Sequence, residues 1–317
     1  MSKPPIRAIF ADLDGTLFNH THLASEYTAK VLNTLHHLHH HPAESGQPKE
    51  QHKVYFIVAT GRPYEHVQYT LEASHLQADF VIANNGALVY NRAREPIQQH
   101  FLPPSVVRQL LRVVQAVEAG LAFNPKEVAT NIFKGPKWYT DNRIEGLGRA
   151  YPAEFQPEEV AGLADHFPEA ELNDVPQLFF RGPNQELLQV EAQLRQTLAT
   201  DGATDAQVVH CFSYPFLLDV APANVTKSTA VAEVLAYIND HLCQDGDARV
   251  ERANVAAFGD GLNDLHMLRE AGHPYIVKNG VRALKAALPD AEVLPFTNEE
   301  DAVARKIVDL CQLEEYL

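Results

Sequence analysis

The sequence predicts an α/β fold: a doubly wound parallel sheet with helices on both faces and a second α/β domain inserted into it. Three observations carry this. Short continuous apolar runs alternate with stretches of helical periodicity, and such alternation needs crossover connections, which favour parallel strands. The runs stop at aspartate, threonine or an Asn-Gly turn. The alternation lapses after about residue 88 and resumes after about 217, so residues 1–87 and 218–317 read as one Rossmann-like core and 88–217 as an inserted α/β domain.

The first run, Ala8 to Ala11, stops at Asp12, and Ser25 then opens a helix with Val31, Leu32, Leu35 and Leu38 at helical spacing. Val54 to Ala59 is a second run, broken by Thr60-Gly61-Arg62-Pro63, where Pro63 suits the first turn of a helix. Phe80 to Ala83 repeats the pattern and ends at Asn84-Asn85-Gly86, a turn into the short strand Leu88-Val89-Tyr90. The inserted stretch holds a helix from Ser105 to about Gly120, irregular sequence near Gly135-Pro136, and a strand-helix-strand passage from Leu178 to Phe212. The core resumes with helix Ser228 to His241, strand Val255 to Phe258, helix Leu265 to Ala271, strand Tyr275 to Val277 and a terminal helix near Asp301 to Leu310. Pro42 to Lys53 and Asp240 to Asn254 read as polar surface excursions.

Composition narrows the function. With 317 residues and 45% hydrophobic content the chain can bury a large core, and two domains are expected. Asp and Glu number 41 against 26 Lys and Arg, for a formal charge of -15, which argues against nucleic acid and anionic membrane as partners. A small anionic substrate remains open, because a metal ion and a few cations reverse the potential inside one cleft. Cys211, Cys243 and Cys311 are scattered and unpaired in spacing, which suits a reducing cytoplasm. Strand-like sequence from Ile6 leaves no room for a secretory signal, and no apolar run approaches membrane-spanning length. A cytoplasmic location is the expectation.

The chemistry-bearing residues fall at strand ends, where ligands bind in parallel sheets. They are Asp12-Leu13-Asp14-Gly15-Thr16-Leu17, Thr60, Lys227, and Asp260-Gly261-Leu262-Asn263-Asp264. Asp12, Asp260 and Asp264 offer the hard oxygen ligands that Mg2+ prefers, and Lys227 is the counter-charge. A carboxylate at Asp12 is ionised at neutral pH and attacks phosphorus without a general base, giving an aspartyl-phosphate. Asp14 is placed to protonate the leaving group and then to activate water, provided that neighbouring negative charge raises its pKa. Thr60, Lys227 and Asn263 contribute electrostatic stabilisation and positioning, and Gly15 and Gly61 let backbone amides approach the phosphate.

In this ordered set the chain resembles the haloacid dehalogenase superfamily. Asn84-Asn85-Gly86-Ala87, the insertion after it, and Asn279 six residues before Lys285 resemble the Cof-type branch, in which an α/β cap follows the second motif. The resemblance implies a nucleophile at Asp12, an acid/base at Asp14, and phosphate binding by Thr60, Lys227 and Asn263. It implies magnesium held by Asp12, Asp260, Asp264 and the Asp14 carbonyl, a small phosphorylated metabolite such as a sugar phosphate as substrate, and a cap that closes over the core and selects it. Ser228 after the lysine and Lys278 before Asn279 stand where the branch usually has glycine.

Other readings compete. A phosphomutase would use the same aspartates; a phospho-receiver domain would hold an Asp beside acidic metal ligands, a Thr and a Lys; a non-catalytic metabolite-binding module would keep the fold alone. Arg62 and Asn85 read equally as site residues and as residues that fix a turn or the hinge. The run His36, His37, His39, His40 and His41 ends a helix and reads as a solvated helix terminus, where cationic imidazole is favoured. Lys137-Trp138-Tyr139 reads as packing rather than a pocket.

Overall fold

The computed structural model describes residues 4–40, 53–117, 123–149, 151–200, 208–243 and 248–317. The chain divides into two compact units, Met1–Gln98 with Thr226–Leu317, and Gln99–Val225. In chain order the first unit opens with β1 (Ala8–Ala11), α1 (Glu26–His40), β2 (Tyr55–Ala59), α2 (Tyr64–Ala73), β3 (Phe80–Ala83), β4 (Leu88–Asn91) and β5 (Pro96–Gln99). The second holds α3 (Pro104–Leu110), α4 (Val113–Ala116), β6 (Ala129–Lys134), β7 (Lys137–Thr140), β8 (Glu158–Glu159), α5 (Leu163–His166), β9 (Gln177–Arg181), α6 (Asn184–Thr200), β10 (Val208–Tyr214) and β11 (Leu217–Pro222). The first unit then closes with α7 (Lys227–Tyr237), β12 (Val255–Gly259), α8 (Leu265–Glu270), β13 (His273–Ile276), α9 (Arg282–Ala287), β14 (Glu292–Val293) and α10 (Ala302–Cys311).

The first unit's sheet has the order β14-β13-β12-β1-β2-β3-β4-β5. Strands from β14 to β3 run parallel, and β4 returns antiparallel to β3. Every residue of β1, β2, β3 and β12 is buried, which is why these strands read as unbroken apolar runs and not as alternating ones. Phe10, Ile57, Ile82, Val234, Leu268 and Ile276 share one cluster of this core. The second unit is a sheet of order β10-β11-β9-β6-β7-β8, antiparallel except for β7 with β8. Its own core holds Val107, Leu110, Ile132, Leu178, Leu194 and Val220.

The structure differs from the sequence expectation in several places. The units divide at 98/99 and 225/226 rather than 87/88 and 217/218, because β4 and β5 extend the first sheet while β11 stays in the second as far as Pro222. The helix expected from Ser105 to about Gly120 is, as far as residue 117, two short helices, tightened between them where Arg112 N–H donates to the Gln109 carbonyl at 3.0 Å, and residues 118–120 lie outside the described residues. Gly135-Pro136 is not irregular: it is the two-residue turn joining β6 to β7, with Lys134 opposite Lys137. Pro63 caps α2 from outside instead of lying in its first turn. In the histidine run, His39 is buried and His36 and His40 are half-buried; His41 and nearly all of Pro42 to Lys53 lie outside the described residues. Among the described residues no helix is long and apolar enough to cross a membrane.

One glycine fixes how the chain re-enters the first unit. Gly86 has φ +110°, and a Cβ there would stand 2.4 Å from the Thr226 carbonyl oxygen, immediately before Lys227. Gly86→Ala is expected to destabilise the protein by at least about 1–3 kcal/mol, the scale of forced backbone strain, read from the shift of a urea unfolding midpoint.

Candidate active site

Asp12 follows β1, Thr60 follows β2 and Asp260 follows β12, all at carboxyl ends of parallel strands, while Asp264 stands at the head of α8. Lys227 begins α7 because Thr226 caps it reciprocally: the Thr226 hydroxyl accepts Thr229 N–H at 3.2 Å, and Thr226 N–H donates to the Thr229 hydroxyl at 2.9 Å. Though 2% exposed, the Lys227 ammonium is paired twice, donating to Asp12 Oδ1 and to Asp264 Oδ1 at 2.6 Å each. The other Asp264 oxygen accepts the backbone N–H groups of Asp260 at 3.1 Å and Gly261 at 3.0 Å. The Thr16 hydroxyl donates to Asp260 Oδ1 at 3.1 Å. Ligand-type oxygens of Asp12, Asp260 and Asp264 lie within 4.8 Å of one another.

Burial pushes the Asp12 carboxyl well above its ordinary range; Lys227 opposes this, while Asp264 and Asp260 add to it. Burial and the neighbouring Asp264 charge push Asp260 up to about 6. Burial works against a charged Lys227, but Asp12 and Asp264 hold it above the usual lysine value. When all three carboxylates are ionised, one ammonium leaves the group with a surplus of negative charge. That surplus, concentrated on hard oxygen donors, fits a divalent cation such as Mg2+. Space at the rim is guarded by Gly15, whose φ is +76° and whose missing Cβ would stand 2.7 Å from Asp260 Oδ2.

Residues 9–307 match the family model described as haloacid dehalogenase-like hydrolase. The chain belongs to that family. Among this hydrolase's relatives, an HMP-PP phosphatase from Serratia proteamaculans is 28% identical over 299 residues, covering 92% of this chain and 91% of its own length. Two solved structures share the fold. A haloacid dehalogenase-like hydrolase from Bacteroides thetaiotaomicron superposes with a TM-score of 0.71 at 22% identity, covering 96% of this chain and 99% of that one. A subclass IIB sugar phosphatase does so with a TM-score of 0.67 at 20% identity, covering 96% and 98%.

Within this hydrolase the remaining expected residues divide. Asp14 is not pushed up by negative neighbours, as the sequence suggested. Burial opposes its charge, yet hydrogen bonds from His22 and Arg62 and the Arg62 charge hold it well below the usual carboxylate range. Arg62 Nε donates to Asp14 Oδ2 at 2.5 Å and its terminal nitrogen donates to Oδ1, while His22 Nδ1 lies 2.9 Å from Oδ1. Arg62 is 5% exposed, and its guanidinium lies 5.6 Å from the Phe18 ring centroid, so this residue is far more than a turn former. The Thr60 hydroxyl accepts Arg62 N–H at 3.2 Å, and Asn85 N–H donates to the Thr60 carbonyl at 3.0 Å. A Cβ on Gly61 would meet Asn85 Oδ1 at 3.1 Å. Asn263 is exposed in the turn before Asp264. Asn279 donates to the Gly15 carbonyl at 2.7 Å and accepts Asn298 N–H at 3.0 Å, tying the loop after β13 to the loop after β1.

Sequence reasoning assigned no role to Thr16, His22 or Asn298. Thr16 stood within the quoted motif, and a hydroxyl two residues past Asp14 was a usable signal. His22 and Asn298 carried none, because what matters is where a loop folds back. His22 adopts φ +60° on its way to Asp14, and Asn298 reaches the Phe18 carbonyl at 2.8 Å from 280 residues away.

Proposed function

We propose that this chain is a magnesium-dependent phosphatase that hydrolyses a small phosphorylated metabolite, a sugar phosphate or similar compound, through an aspartyl-phosphate on Asp12, with Asp14 as general acid/base. The observation that carries the reading is the double grip of Lys227 on Asp12 and Asp264 beside Asp260, an acidic group two positive charges short of balance. Membership of the hydrolase family and the HMP-PP phosphatase relative support it.

Magnesium would be held by Asp12, Asp260, Asp264 and the Asp14 carbonyl; when bound it supplies positive charge for the phosphate oxygens. The Asp12 carboxylate oxygen attacks phosphorus in line as the bond to the leaving oxygen breaks, and Asp14 gives that oxygen its proton. Water then attacks the aspartyl-phosphate and yields its proton to Asp14, which frees inorganic phosphate and restores the Asp12 carboxylate. The clamp by Arg62 and His22 sets Asp14 in the base form that this second half uses. The first half needs the acid form. An incoming phosphate dianion favours it twice over, by competing for Arg62 and by raising the Asp14 pKa through like charge. Thr60, the Gly61 backbone, Lys227 and Asn263 bind the transferred phosphate, with Arg62, Asn85 and Asn279 holding the loops around it. Residues 99–225 choose the substrate.

A panel of sugar phosphates, nucleotides and pyridoxal phosphate, assayed for free phosphate, tests the reading. Release that requires Mg2+ and stops with a chelator is expected. No release from any ester with Mg2+ present would overturn it, and an isomerised ester without free phosphate would make the protein a phosphomutase. Thr16→Val removes the donor that orients Asp260; it is expected to raise the half-saturating Mg2+ concentration by about 10–100-fold, as loss of an outer-shell partner does, with turnover largely restored at saturating Mg2+.

A further inference from the structure

A second set of ligand-type side chains lies at the other end of the parallel strands. His36 and His40 are four residues apart in α1 and so share a face. Asp79 immediately precedes β3, at its amino end, whereas the catalytic carboxylates follow the carboxyl ends of β1 and β12. One ligand atom from each of His36, His40 and Asp79 lies within 4.8 Å of the other two. Asp79 is fixed from behind: its Oδ2 accepts Phe56 N–H at 2.8 Å, leaving Oδ1 to face His40 Nε2 at 2.8 Å. The His36 and His40 ring centroids are 4.3 Å apart.

We propose that His36, His40 and Asp79 form a binding site for a divalent transition-metal ion of the zinc class. Two imidazole nitrogens and one carboxylate oxygen are the borderline donor set that selects zinc, cobalt or nickel over magnesium and calcium. Paired histidines four apart on a helix place both nitrogens on one side of an ion. With zinc-to-ligand bonds of about 2.0–2.2 Å, tetrahedral donors stand about 3.3–3.6 Å apart, so the three groups need only small rotamer shifts to close on an ion. Burial, with His40 and Arg92, holds the His36 imidazole down at about 4, so it offers its lone pair at neutral pH. Burial opposes a charged Asp79, but the His40 hydrogen bond leads the interactions that hold it below its ordinary value. Phe56 N–H is the outer partner that orients the carboxylate. His39 stands outside this group of three: its Nδ1 donates to the Val54 carbonyl at 2.7 Å and its ring stands edge-on to Tyr55. A bound ion takes the place of the His40 to Asp79 hydrogen bond and ties the carboxyl end of α1 to the start of β3.

The test uses the full chain in excess Mg2+, so that the catalytic carboxylates are occupied, with Zn2+ and Co2+ as probes. Calorimetric titration is expected to find one Zn2+ per chain, bound at least about 10-fold more weakly in His36→Gln and His40→Gln and unchanged in His37→Gln. Co2+ bound to the wild-type chain is expected to show the intense visible absorption of a four-coordinate nitrogen-ligated site, a readout that does not depend on any variant folding. Zn2+ is expected to raise the melting temperature of the wild type and not of His36→Gln, while Mg2+-supported phosphate release is the same in both. No Zn2+ uptake by the Mg2+-loaded wild type, or equal affinity in His36→Gln, overturns the proposal.

Discussion

Asp12→Asn is expected to lower phosphate release by about 10⁴-fold or more, the scale on which an enzyme loses rate with its covalent nucleophile, while the folded state survives intact. The substitution keeps shape and an oxygen that can still accept from Lys227, which sits 2.6 Å away, but an amide does not attack phosphorus. Stability and activity should move in opposite directions. Burial, Asp264 and Asp260 outweigh Lys227 and raise the folded-state pKa of Asp12. A carboxyl with a raised folded pKa binds its proton more tightly folded than unfolded, so above that pKa its ionised form weighs against the fold. A neutral side chain removes that burden, and without Mg2+ the variant should melt no lower than wild type. Acid quenching during turnover of a ³²P-labelled ester should trap label on the wild-type protein and none on Asp12→Asn. Retained turnover would remove Asp12 from the chemistry.

How much of this was legible in the sequence depends on which interactions are local. Runs such as Ala8 to Ala11 and Val255 to Phe258 were readable because strands covered on both faces leave no polar position. Asp12, Asp260, Asp264 and Lys227 could be located because each sits at a strand-to-helix junction, and the structure brings all four together. The unit boundaries were misplaced because β4 is paired antiparallel to β3, so neither β4 nor β5 carries the crossover helix that marks a core strand. The state of Asp14 was misread for a similar reason. Neighbouring negative charge was expected to raise its pKa, whereas Arg62 and His22, arriving on two different loops, hold it down. Residues near in sequence gave the acids, and residues near only in space gave their protonation.

Lys227→Met carries the second large effect, and it separates charge from volume. Methionine approximates the buried stem, so packing is retained, but Asp12 and Asp264 lose the ammonium that each holds at 2.6 Å. Breaking a buried ion pair by removing one partner costs about 3–5 kcal/mol because the other charge stays buried and unpaired. The pairing contributes fully at neutral pH. A lysine whose folded pKa is raised gives stability that is complete below its unfolded value of about 10.4 and is lost only as pH climbs through the folded value. Urea unfolding without metal should therefore show the full loss at pH 7. Added Mg2+ should rescue the variant's stability by more than it raises that of the wild type, since a divalent ion supplies the missing charge to the same oxygens. Turnover should not recover with it. Phosphoryl transfer spreads negative charge over oxygens that need a fixed positive donor at one place, and losing one such donor costs about 10²–10³ in rate. Recovery of both stability and turnover at high Mg2+ would mean that Lys227 balances the acids and does nothing more for the transferred phosphate.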